Sequence, residues 1–340
     1  MKLCITGGGT GGHLMIAESL VEAALKDGME VIFIGSTKGQ DQKYFQDHSL
    51  FSHTYFLETT GVVNQKGFGK LKALWRVFKA FLEARKLLKQ HHIQATYSVG
   101  GFSAAPASLA TLSLFKPLFI HEQNAKTGRL NEILKPFAKR FICAYDPTSP
   151  IQGYPVKEIF YKTAHLREAL KTVIFLGGSQ GAKAINDLAL DVAWKLKKLG
   201  IKVIHQCGEA DFDRVKKAYE AMGIDGVDLY GFTKELPSLI AKADLAVSRA
   251  GASTLWELTS NGCPAFFIPY PYAAGNHQYY NAKFIVDHEM GWCFTEDANP
   301  KSELLHLIKE PNLKQKSQKL LEYRSGDVAK QMIEDLRSFV

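Results

Sequence analysis

The sequence predicts an α/β protein made of two doubly wound domains, each built on a parallel sheet. Short β-rich runs alternate with helical patterns along the whole chain, which is the rhythm of βαβ units. The 340 residues, 46% of them hydrophobic, supply enough apolar material for two cores, since a single core rarely grows beyond about 250 to 300 residues. Residues 144–164 are crowded with proline and glycine and show no period, as expected of a linker between domains.

Strands are expected in two series, one on each side of that linker. The first series is predicted at residues 2–6, 30–34, 95–99, 118–120 and 140–143. The second series is predicted at residues 172–176, 202–206, 227–230, 244–248 and 265–269. Beyond residue 302 the chain is helical and rich in Lys and Glu. We therefore predict a first domain over 1–155, a second over 156–324, and a last helix, about 325–340, that returns to the first domain.

The net charge of +8 is concentrated in the first half of the chain. Residues 1–160 carry 19 Lys and Arg against 12 Asp and Glu, whereas the remainder is nearly balanced. This asymmetry indicates an anionic partner on the first domain, such as a nucleic acid, a phosphorylated substrate or a membrane surface.

Cysteine usage and hydropathy indicate the compartment. The five cysteines include no CxxC pair, which is typical of a reducing environment. No apolar run reaches the roughly 18 residues of a spanning helix, and the chain opens without the apolar core of a signal sequence. We therefore expect a cytoplasmic protein.

Four glycine-rich loops follow predicted strands, at residues 7–12, 100–103, 177–181 and 249–253. Glycines in such loops let backbone N–H groups approach an anion at a helix N-terminus. Tight turns needed only for packing would explain one or two loops, so four, in both halves, favour a diphosphate bound in a cleft between the domains. Gly7, Gly9 and Gly12 also match G-x-G-x-x-G, but the second strand ends without the acidic residue of a nicotinamide dinucleotide site.

Polar side chains beside these loops are candidates for chemistry. His13 lies at the start of the first helix, where the dipole favours the neutral ring that a general base needs. Glu122 belongs to a His-Glu-Gln-Asn run directly after a buried strand. Glu257 lies about one turn inside a helix that Ser253 or Thr254 can cap. Glu257 either accepts the hydroxyls of a ribose or forms a capping box with Thr254.

Residues 66–89 hold eight basic residues and one acidic residue. An apolar stripe recurs there at helical spacing: Leu71, Leu74, Trp75, Phe78 and Leu82. The ordinary interpretation is an amphipathic helix whose apolar stripe packs on the first sheet. The basic residues add a second prediction, reversible binding to an anionic membrane surface, since each contributes about 1 kcal/mol near the headgroups. Nucleic-acid binding is disfavoured because the aromatic residues lie on or near the apolar face and no nucleic-acid-binding motif is present.

Six motifs, taken together and in order, are far more specific than any single loop. They are Gly-Gly-Gly-Thr-Gly-Gly-His at 7–13, Gly-Gly-Phe-Ser at 100–103, His-Glu-Gln-Asn at 121–124, Gly-Gly-Ser-Gln-Gly-Ala at 177–182, Arg-Ala-Gly-Ala-Ser-Thr-Leu-Trp-Glu at 249–257 and His-Gln at 277–278. Through them the chain resembles, over essentially its whole length, the MurG family of bacterial UDP-N-acetylglucosamine (UDP-GlcNAc) transferases, which convert lipid I to lipid II in peptidoglycan synthesis. The resemblance implies a GT-B fold, in which two Rossmann-like domains flank a cleft. The first domain then binds mainly the acceptor and the second mainly the sugar nucleotide.

The resemblance also implies roles for individual residues. Contact with the sugar and phosphate is implied for Thr10, Gly11, Gly12 and Asn124. Ser179 is expected to meet the diphosphate, Thr233 to pair with uracil through its backbone, and Gln278 to contact hydroxyls of GlcNAc. Phosphate and ribose are expected to be held by Ala252, Ser253, Thr254, Leu255, Trp256 and Glu257. Where the family usually reads Gly-Asn-Pro-Val-Arg, residues 153–157 read Gly-Tyr-Pro-Val-Lys, so Lys157 supplies a point charge without the fork of an arginine.

The implied reaction is an inverting transfer, in which the 4-hydroxyl of N-acetylmuramic acid (MurNAc) attacks the anomeric carbon of UDP-GlcNAc opposite UDP. His13 is the first choice for the base that takes the hydroxyl proton, and Glu122 is the second. Backbone N–H groups and helix dipoles stabilise the departing diphosphate, so no metal and no cofactor is expected. Asp211 and Asp213 form a DxD sequence that we attribute to chance in a surface helix.

Two alternative functions stay open. A GT-B-fold UDP-GlcNAc epimerase would use the same donor loops, but it needs no lipid acceptor and the basic stretch argues against it. A non-catalytic, membrane-associated nucleotide binder would tolerate the loss of His13 and Glu122. The preferred interpretation is a peripheral enzyme on the cytoplasmic face of the cell inner membrane. Its partners are UDP-GlcNAc, lipid I and an anionic membrane surface, without nucleic acid.

Overall fold

The computed structural model describes residues 1–61, 68–178 and 181–340. The chain divides into two compact units, Met1–Val156 with Asp327–Val340, and Lys157–Gly326. Each unit holds one six-stranded parallel sheet, which confirms the predicted α/β class with two doubly wound sheets. In the described part of the chain, no helix is long and apolar enough to cross a membrane.

The sheet of the first unit has the strand order β3-β2-β1-β4-β5-β6. Its strands are β1 (Lys2–Thr6), β2 (Glu30–Ser36), β3 (His53–Leu57), β4 (Ala95–Ser98), β5 (Leu118–Glu122) and β6 (Arg140–Cys143). The chain winds outward from β1 in one direction and then, from β4, in the other. Beyond the carboxyl ends of β1 and β4 such a sheet forms a crevice for ligands.

The helices of the first unit connect these strands. They are α1 (Gly11–Lys26), α2 (Asp41–Phe45), α3 (Phe68–Gln90), α4 (Ala105–Ser113), α5 (Arg129–Leu134) and, at the chain end, α14 (Val328–Arg337). The last helix packs against α1. An ion pair of 2.7 Å joins Arg337 to Asp27, and another of 3.3 Å joins Arg140 to Asp335.

Successive side chains of β5 point to opposite faces of the sheet, which decides where its polar residues lie. Leu118 and Ile120 pack against α5. Phe119 faces the other way and contacts the ring of Phe339. By the same alternation Glu122 lies on the α5 side and His121 lies on the opposite side.

The second unit repeats the architecture with the order β12-β11-β10-β7-β8-β9. Its strands are β7 (Thr172–Leu176), β8 (Lys202–Gln206), β9 (Val227–Tyr230), β10 (Leu245–Ser248), β11 (Ala265–Phe267) and β12 (Trp292–Cys293). Its helices are α6 (Glu158–Lys162), α7 (Lys183–Lys198), α8 (Phe212–Ala221), α9 (Leu236–Lys242), α10 (Ala252–Asn261), α11 (His277–Asp287), α12 (Pro300–Leu307) and α13 (Leu313–Tyr323). The main core cluster joins β7, β10 and β11 to α7 and α12.

Arg167 is fully buried in the second unit, where its guanidinium binds carbonyl oxygens. It donates to the carbonyl oxygens of Ala243 (3.2 Å) and Ile240 (3.3 Å), at the end of α9, and to that of Asn261, the last residue of α10. The carbonyls at a helix C-terminus lack N–H partners and carry partial negative charge. The side chain therefore holds the ends of two helices together.

The sequence prediction did not include the strands β3 and β12 or the helix α6. The edge strand β3 opens with His53 and Thr54 and is only partly buried, so its sequence lacks the continuous apolar run of an inner strand. The strand β12 has two residues, too few for any period. The helix α6, with five residues, lies inside the stretch that we expected to be irregular.

The helix α3 is present, but the expectation about its packing face was wrong. The stripe that was predicted to pack on the sheet is 47% to 68% exposed: Leu71, Leu74, Trp75, Phe78 and Leu82. The buried face consists largely of alanines with two leucines: Ala73, Ala80, Ala84, Leu87 and Leu88. Because α3 packs against α4, where Ala107 and Ala110 complete the same cluster, small residues allow a close approach. The large apolar residues are left outside.

Candidate active site

The first three glycines of loop 7–12 pack against other parts of the protein. A Cβ on Gly7 would lie 2.4 Å from the carbonyl oxygen of Gly100, and one on Gly8 would lie 2.4 Å from Oδ1 of Asp41. A Cβ on Gly101 would in turn lie 2.1 Å from the carbonyl oxygen of Gly8. The packing explanation therefore applies to this part of the loop, and the anion-binding expectation is confined to the first turn of α1.

That turn places Thr10, Gly11, Gly12 and His13 together. Thr10 is the N-cap residue of α1 and has extended backbone, but its hydroxyl does not cap the helix. The hydroxyl oxygen lies 2.8 Å from Nδ1 of His13 instead. A Cβ on Gly100 would lie 3.4 Å from Nε2 of the same ring. The imidazole is thus oriented by Thr10 beside the second glycine loop.

Glu122 is 3% exposed and uses both carboxylate oxygens within its own loop. One oxygen accepts a 2.9 Å hydrogen bond from the backbone N–H of Asn124. The other accepts 2.9 Å bonds from the backbone N–H of Gly128 and from Nδ2 of Asn131. Hydrogen bonds to a charged acceptor are the strong ones. Glu122 therefore holds the loop that carries Asn124 to the start of α5.

His121 is completely buried on the opposite face of β5, and its ring meets that of Tyr154 edge to face, with centroids 5.2 Å apart. Burial, with a smaller contribution from the charge of His13, lowers the pKa of His121 to about 3. Neither ring nitrogen of His121 has a hydrogen-bond partner among the described residues. The ring is therefore neutral at physiological pH.

In the second unit, the glycine loop after β7 is held by side chains from its neighbours. The backbone N–H of Gly178 donates a 3.0 Å bond to Oε1 of Gln206, whose Nε2 donates back to the Gly178 carbonyl at 3.0 Å. A Cβ on Gly178 would meet nothing within 4 Å, so this edge of the loop is open. Ser179, predicted to meet a diphosphate, lies outside the described residues.

The helix α10 begins at Ala252, with Gly251 as its N-cap residue. Neither Ser253 nor Thr254 is the cap, so the capping expectation was wrong. The capping-box alternative for Glu257 fails with it, because a capping box needs a Ser or Thr at N-cap. Since Gly251 has no side chain, and a Cβ there would meet nothing within 4 Å, the first turn is suited to an external anion.

Leu255 and Trp256, which follow Thr254 in α10, point into the protein. Leu255 is fully buried and Trp256 is 2% exposed. The Trp256 ring packs against Phe284 and Tyr323 at centroid distances of 6.0 Å. Their side chains therefore pack the core, and a ligand at this segment can meet their backbone alone.

Glu257 is 8% exposed, and burial raises the pKa of its carboxyl to about 7. The charge of Lys157 acts in the opposite direction and favours the carboxylate. Lys157, expected to serve a phosphate, thus acts electrostatically on Glu257. Arg249, at the start of the same loop, donates to the carbonyl oxygens of Ile268 and Pro269 at 3.1 and 3.2 Å and pairs with Glu296 at 2.5 Å.

The other two predicted donor residues are engaged locally. Gln278 lies in the first turn of α11, and its Oε1 accepts a 2.9 Å bond from the backbone N–H of Tyr270. The Thr233 hydroxyl accepts a 3.0 Å bond from the N–H of Glu235. These bonds shape the two loops at the carboxyl ends of β11 and β9.

Asp211 binds Arg214 through two 2.6 Å hydrogen bonds and accepts a 2.7 Å bond from Nδ2 of Asn186. Hydrogen bonding to Arg214 lowers the pKa of Asp211 to about 2. Within the described ranges, no group of three or more His, Cys, Asp or Glu side chains is placed to hold a metal ion.

Two residues near the site were not assigned a role from the sequence. Gln123 lies inside the His-Glu-Gln-Asn run, and its Nε2 is 3.0 Å from Nε2 of His13. Asp41 lies five residues beyond β2 and contacts the first glycine loop. The adjacency of Gln123 to Glu122 was a usable signal, whereas nothing local to Asp41 indicates its partner.

Comparison with known proteins gives consistent matches along the chain. The glycosyltransferase family 28 N-terminal domain matches residues 3–143, and the C-terminal domain of that family matches residues 172–335. A UDP-N-acetylglucosamine–N-acetylmuramyl-(pentapeptide) pyrophosphoryl-undecaprenol N-acetylglucosamine transferase from Sulfurimonas denitrificans is 67% identical over 99% of this chain and 98% of its own. A protein of the same name from Wolinella succinogenes is 51% identical over 99% of this chain and 100% of its own.

Comparison with solved structures gives the same family. Acinetobacter baumannii MurG aligns with a TM-score of 0.80 and 26% identity over 99% of both chains. The UDP-GlcNAc 2-epimerase from Neisseria meningitidis aligns with a TM-score of 0.65 and 12% identity, over 99% of this chain and 100% of its own, which shows a shared fold alone. With both domain models matched and a relative 67% identical along nearly its whole length, this chain belongs to the MurG family within glycosyltransferase family 28.

Proposed function

We propose that this protein transfers GlcNAc from UDP-GlcNAc to the 4-hydroxyl of the MurNAc of lipid I, giving lipid II for peptidoglycan synthesis. The observation that carries the proposal is the 67% identity, over 99% of the chain, to a transferase named for this reaction. The acceptor oxygen bonds to the anomeric carbon of GlcNAc with inversion, its proton passes to a base, and the electron pair of the broken bond leaves with UDP.

His13 is the base in this proposal. Its ring lies at the start of α1, oriented by Thr10 and next to loop 100–103. Both oxygens of Glu122 accept bonds from its own loop, which supports a shaping role for Glu122 and leaves proton transfer to His13. The acceptor and the donor sugar then contact four residues, Thr10, Gly11, Gly12 and Asn124.

The second unit is the donor domain, and the first is the acceptor domain. The uncapped start of α10 supports binding of the diphosphate by the backbone of Ala252 and by Ser253 and Thr254, because a helix N-terminus favours negative charge. The Glu257 carboxylate accepts hydrogen bonds from the ribose hydroxyls, and the positive charge of Lys157 favours the ionised form of this carboxylate. Ser179 on the diphosphate, Thr233 on uracil and Gln278 on GlcNAc complete the proposed donor site, which uses N–H donors in place of a metal.

We also propose that the first unit binds an anionic membrane surface through α3. Its exposed apolar stripe supports this, because five large side chains at 47% to 68% exposure form an unusual surface for a helix in water. Basic residues flank the stripe, and Lys79 Nζ lies 5.6 Å from the centroid of the Trp75 ring. Lys66, the first residue of the predicted stretch, lies outside the described residues.

Phe115, just beyond the end of α4, is another exposed apolar side chain of the first unit. It is 98% exposed and has φ +55°, a left-handed backbone that bulky residues rarely adopt. The N–H of Phe115 donates to the carbonyl oxygen of Leu112, and the N–H of Lys116 donates to the carbonyl oxygen of Thr111. These two bonds form a Schellman motif, with phenylalanine at the position where glycine is usual. A bond of 3.2 Å between Arg85 of α3 and Ser113 of α4 joins the two helices. An aromatic ring kept at a strained, solvent-facing position supports insertion into lipid.

The transfer is tested by incubating the purified protein with UDP-[¹⁴C]GlcNAc and a lipid I analogue. Label in an extractable lipid disaccharide is the expected result. Label recovered solely as an epimer of the donor would support the UDP-GlcNAc epimerase instead, and retained UDP binding without either product would indicate a non-catalytic binder.

Membrane binding is tested by sedimentation with vesicles containing phosphatidylglycerol, against phosphatidylcholine vesicles as the control. We expect salt-sensitive binding to the anionic vesicles, in keeping with a peripheral enzyme on the cytoplasmic face of the cell inner membrane. Filter binding of RNA is the competing measurement, and stronger retention of RNA than of anionic vesicles would contradict the proposal.

A further inference from the structure

Gln206, the last residue of β8, is 5% exposed and bonds to backbone groups through its whole side-chain amide. Its Oε1 accepts a 3.0 Å hydrogen bond from the N–H of Gly178. Its Nε2 donates to the carbonyl oxygen of Gly178 at 3.0 Å and to that of Gly231 at 2.9 Å. A backbone N–H can only donate and a carbonyl can only accept, so these partners fix the orientation of the amide. Both amide hydrogens are engaged, and neither remains for a ligand.

The two partners of Gln206 belong to different loops. Gly178 lies in the glycine loop after β7, directly before Ser179, the residue proposed to meet the diphosphate. Gly231 follows the last residue of β9 and lies two residues before Thr233, the residue proposed to pair with uracil. The strand β8 lies between β7 and β9 in the sheet. The side chain of Gln206 therefore links the loops proposed for the two ends of UDP.

The backbone around Gln206 gives this link a fixed base. The carbonyl oxygen of Gln206 accepts a 2.7 Å bond from the N–H of Gly177, and the N–H of Cys207 donates a 2.8 Å bond to the carbonyl oxygen of Tyr230. The buried side chain of Asn186, in α7, donates a 2.9 Å bond from Nδ2 to the carbonyl oxygen of Cys207. The backbone of β8 is thus bonded on both sides at the point where the amide reaches the two loops.

Each loop is open on a side that Gln206 does not occupy. A Cβ on Gly178 would meet nothing within 4 Å. Phe232, which follows Gly231, is 56% exposed. A loop that the protein already holds in place does not have to be ordered when a ligand binds, which favours affinity.

We infer that Gln206 is a positioning residue for the sugar nucleotide: its side-chain amide holds the loop at Gly178 and the loop at Gly231 in the relative position that UDP requires. This inference rests on the proposed function for the identity of the ligand. Without the amide, each loop can still bind its own part of the nucleotide. The cost of ordering the two loops together then falls on the binding of a ligand that spans both.

The test uses Gln206→Met and Gln206→Glu in the full chain, with Gln318→Met, at an exposed position of α13, as the matched control. Methionine is close to glutamine in length but has no N–H donor, and glutamate keeps an acceptor for Gly178 while it loses both N–H donors. Calorimetry measures the Kd of UDP, and ligand-observed NMR measures the Kd of uridine, which lacks the diphosphate. We expect the Kd of UDP to rise about tenfold in both Gln206 variants and that of uridine to stay within about twofold. Gln318→Met should leave both values unchanged.

A Kd of UDP in both Gln206 variants that matches the wild type, or equal losses of affinity for UDP and for uridine, would overturn the inference. Urea denaturation shows whether each variant is folded. Gln206→Glu keeps the size of the side chain and its bond to Gly178, so it carries the test where Gln206→Met folds poorly. These measurements need no turnover. Absence of lipid-linked product from a wild type that binds UDP would therefore contradict the proposed transfer and leave the role of Gln206 measurable.

Discussion

The carboxylate of Asp41 accepts a hydrogen bond from the backbone N–H of Gly9, in the middle of the first glycine loop. Its other oxygen accepts a 2.9 Å bond from the N–H of Ser36 at the end of β2. Asp41 is completely buried. A loop that resembles a cradle for phosphate thus already holds a carboxylate of the protein, which ties the loop to the end of the neighbouring strand.

Replacing Asp41 should destabilise the first unit. Asp41→Ala leaves the buried N–H of Ser36 and the part-buried N–H of Gly9 without an acceptor, and a buried group left in this way costs about 1 to 3 kcal/mol. We expect the free energy of unfolding, measured by urea denaturation, to fall by at least about 2 kcal/mol. Asp47→Ala, on the exposed surface just beyond α2, is the control and should change it little. Equal stability of the two variants would show that the loop does not depend on this carboxylate.

The two units should respond differently to loss of their polar residues. His13→Ala should lower kcat by about 10² to 10⁴, the range for a general base, with little change in the affinity for UDP. Glu257→Ala should chiefly raise KM for UDP-GlcNAc, by about 10- to 100-fold, since hydrogen bonds to a charged group are worth about 1.5 to 3 kcal/mol. Steady-state kinetics and calorimetry with UDP measure both. Parallel losses in kcat and KM for the two variants would show that these roles are wrongly divided.

Glu257 should make both stability and donor binding depend on pH. Its carboxyl has a pKa of about 7 in the folded protein against 4.5 ordinarily, because it is buried. Between these values the folded state binds more protons, so the free energy of unfolding should fall as pH rises from about 4.5 to about 7. Glu257→Gln should flatten that slope in urea denaturation at a series of pH values.

Affinity for UDP should rise over the same titration, because ribose hydroxyls donate to the ionised carboxylate. Lys157→Met removes the charge that favours this ionisation and should move the rise to higher pH. Calorimetry with UDP at pH 6, 7 and 8 distinguishes the outcomes. An affinity independent of pH in the wild type, or the same profile in Lys157→Met, contradicts the assignment.

Phe115→Gly should separate membrane binding from stability. Glycine at φ +55° relieves the left-handed strain of a bulky residue, so thermal denaturation should show an increase of about 1 kcal/mol in stability. Binding to phosphatidylglycerol vesicles should fall, as it should in Trp75→Ala. Trp194→Ala, which removes a 56% exposed tryptophan from the second unit, is the matched control. Undiminished vesicle binding by Phe115→Gly would show that Phe115 is not part of the membrane-binding surface.

Much of the architecture was predictable from local sequence. Inner strands such as β1 and β7 are continuous apolar runs followed by glycine loops. Both features can be recognised in the local sequence without knowing which strands they pair with. The edge strand β3 was missed because it pairs on one side and is only partly buried, which weakens its pattern. The cap of α10 was misplaced because Ser, Thr and Gly are all acceptable at that position, and the local sequence does not choose between them.

By itself, the sequence determined the two βαβ series, the positions of the glycine loops and the family, because these depend on residues close together along the chain. The tertiary structure decided which polar groups meet. Gly9 binds Asp41, and His13 contacts Gln123, across 32 and 110 residues. It also decided that the alanine face of α3, and not its large apolar stripe, is buried, because packing against α4 favours the face that lets the two helices approach closely.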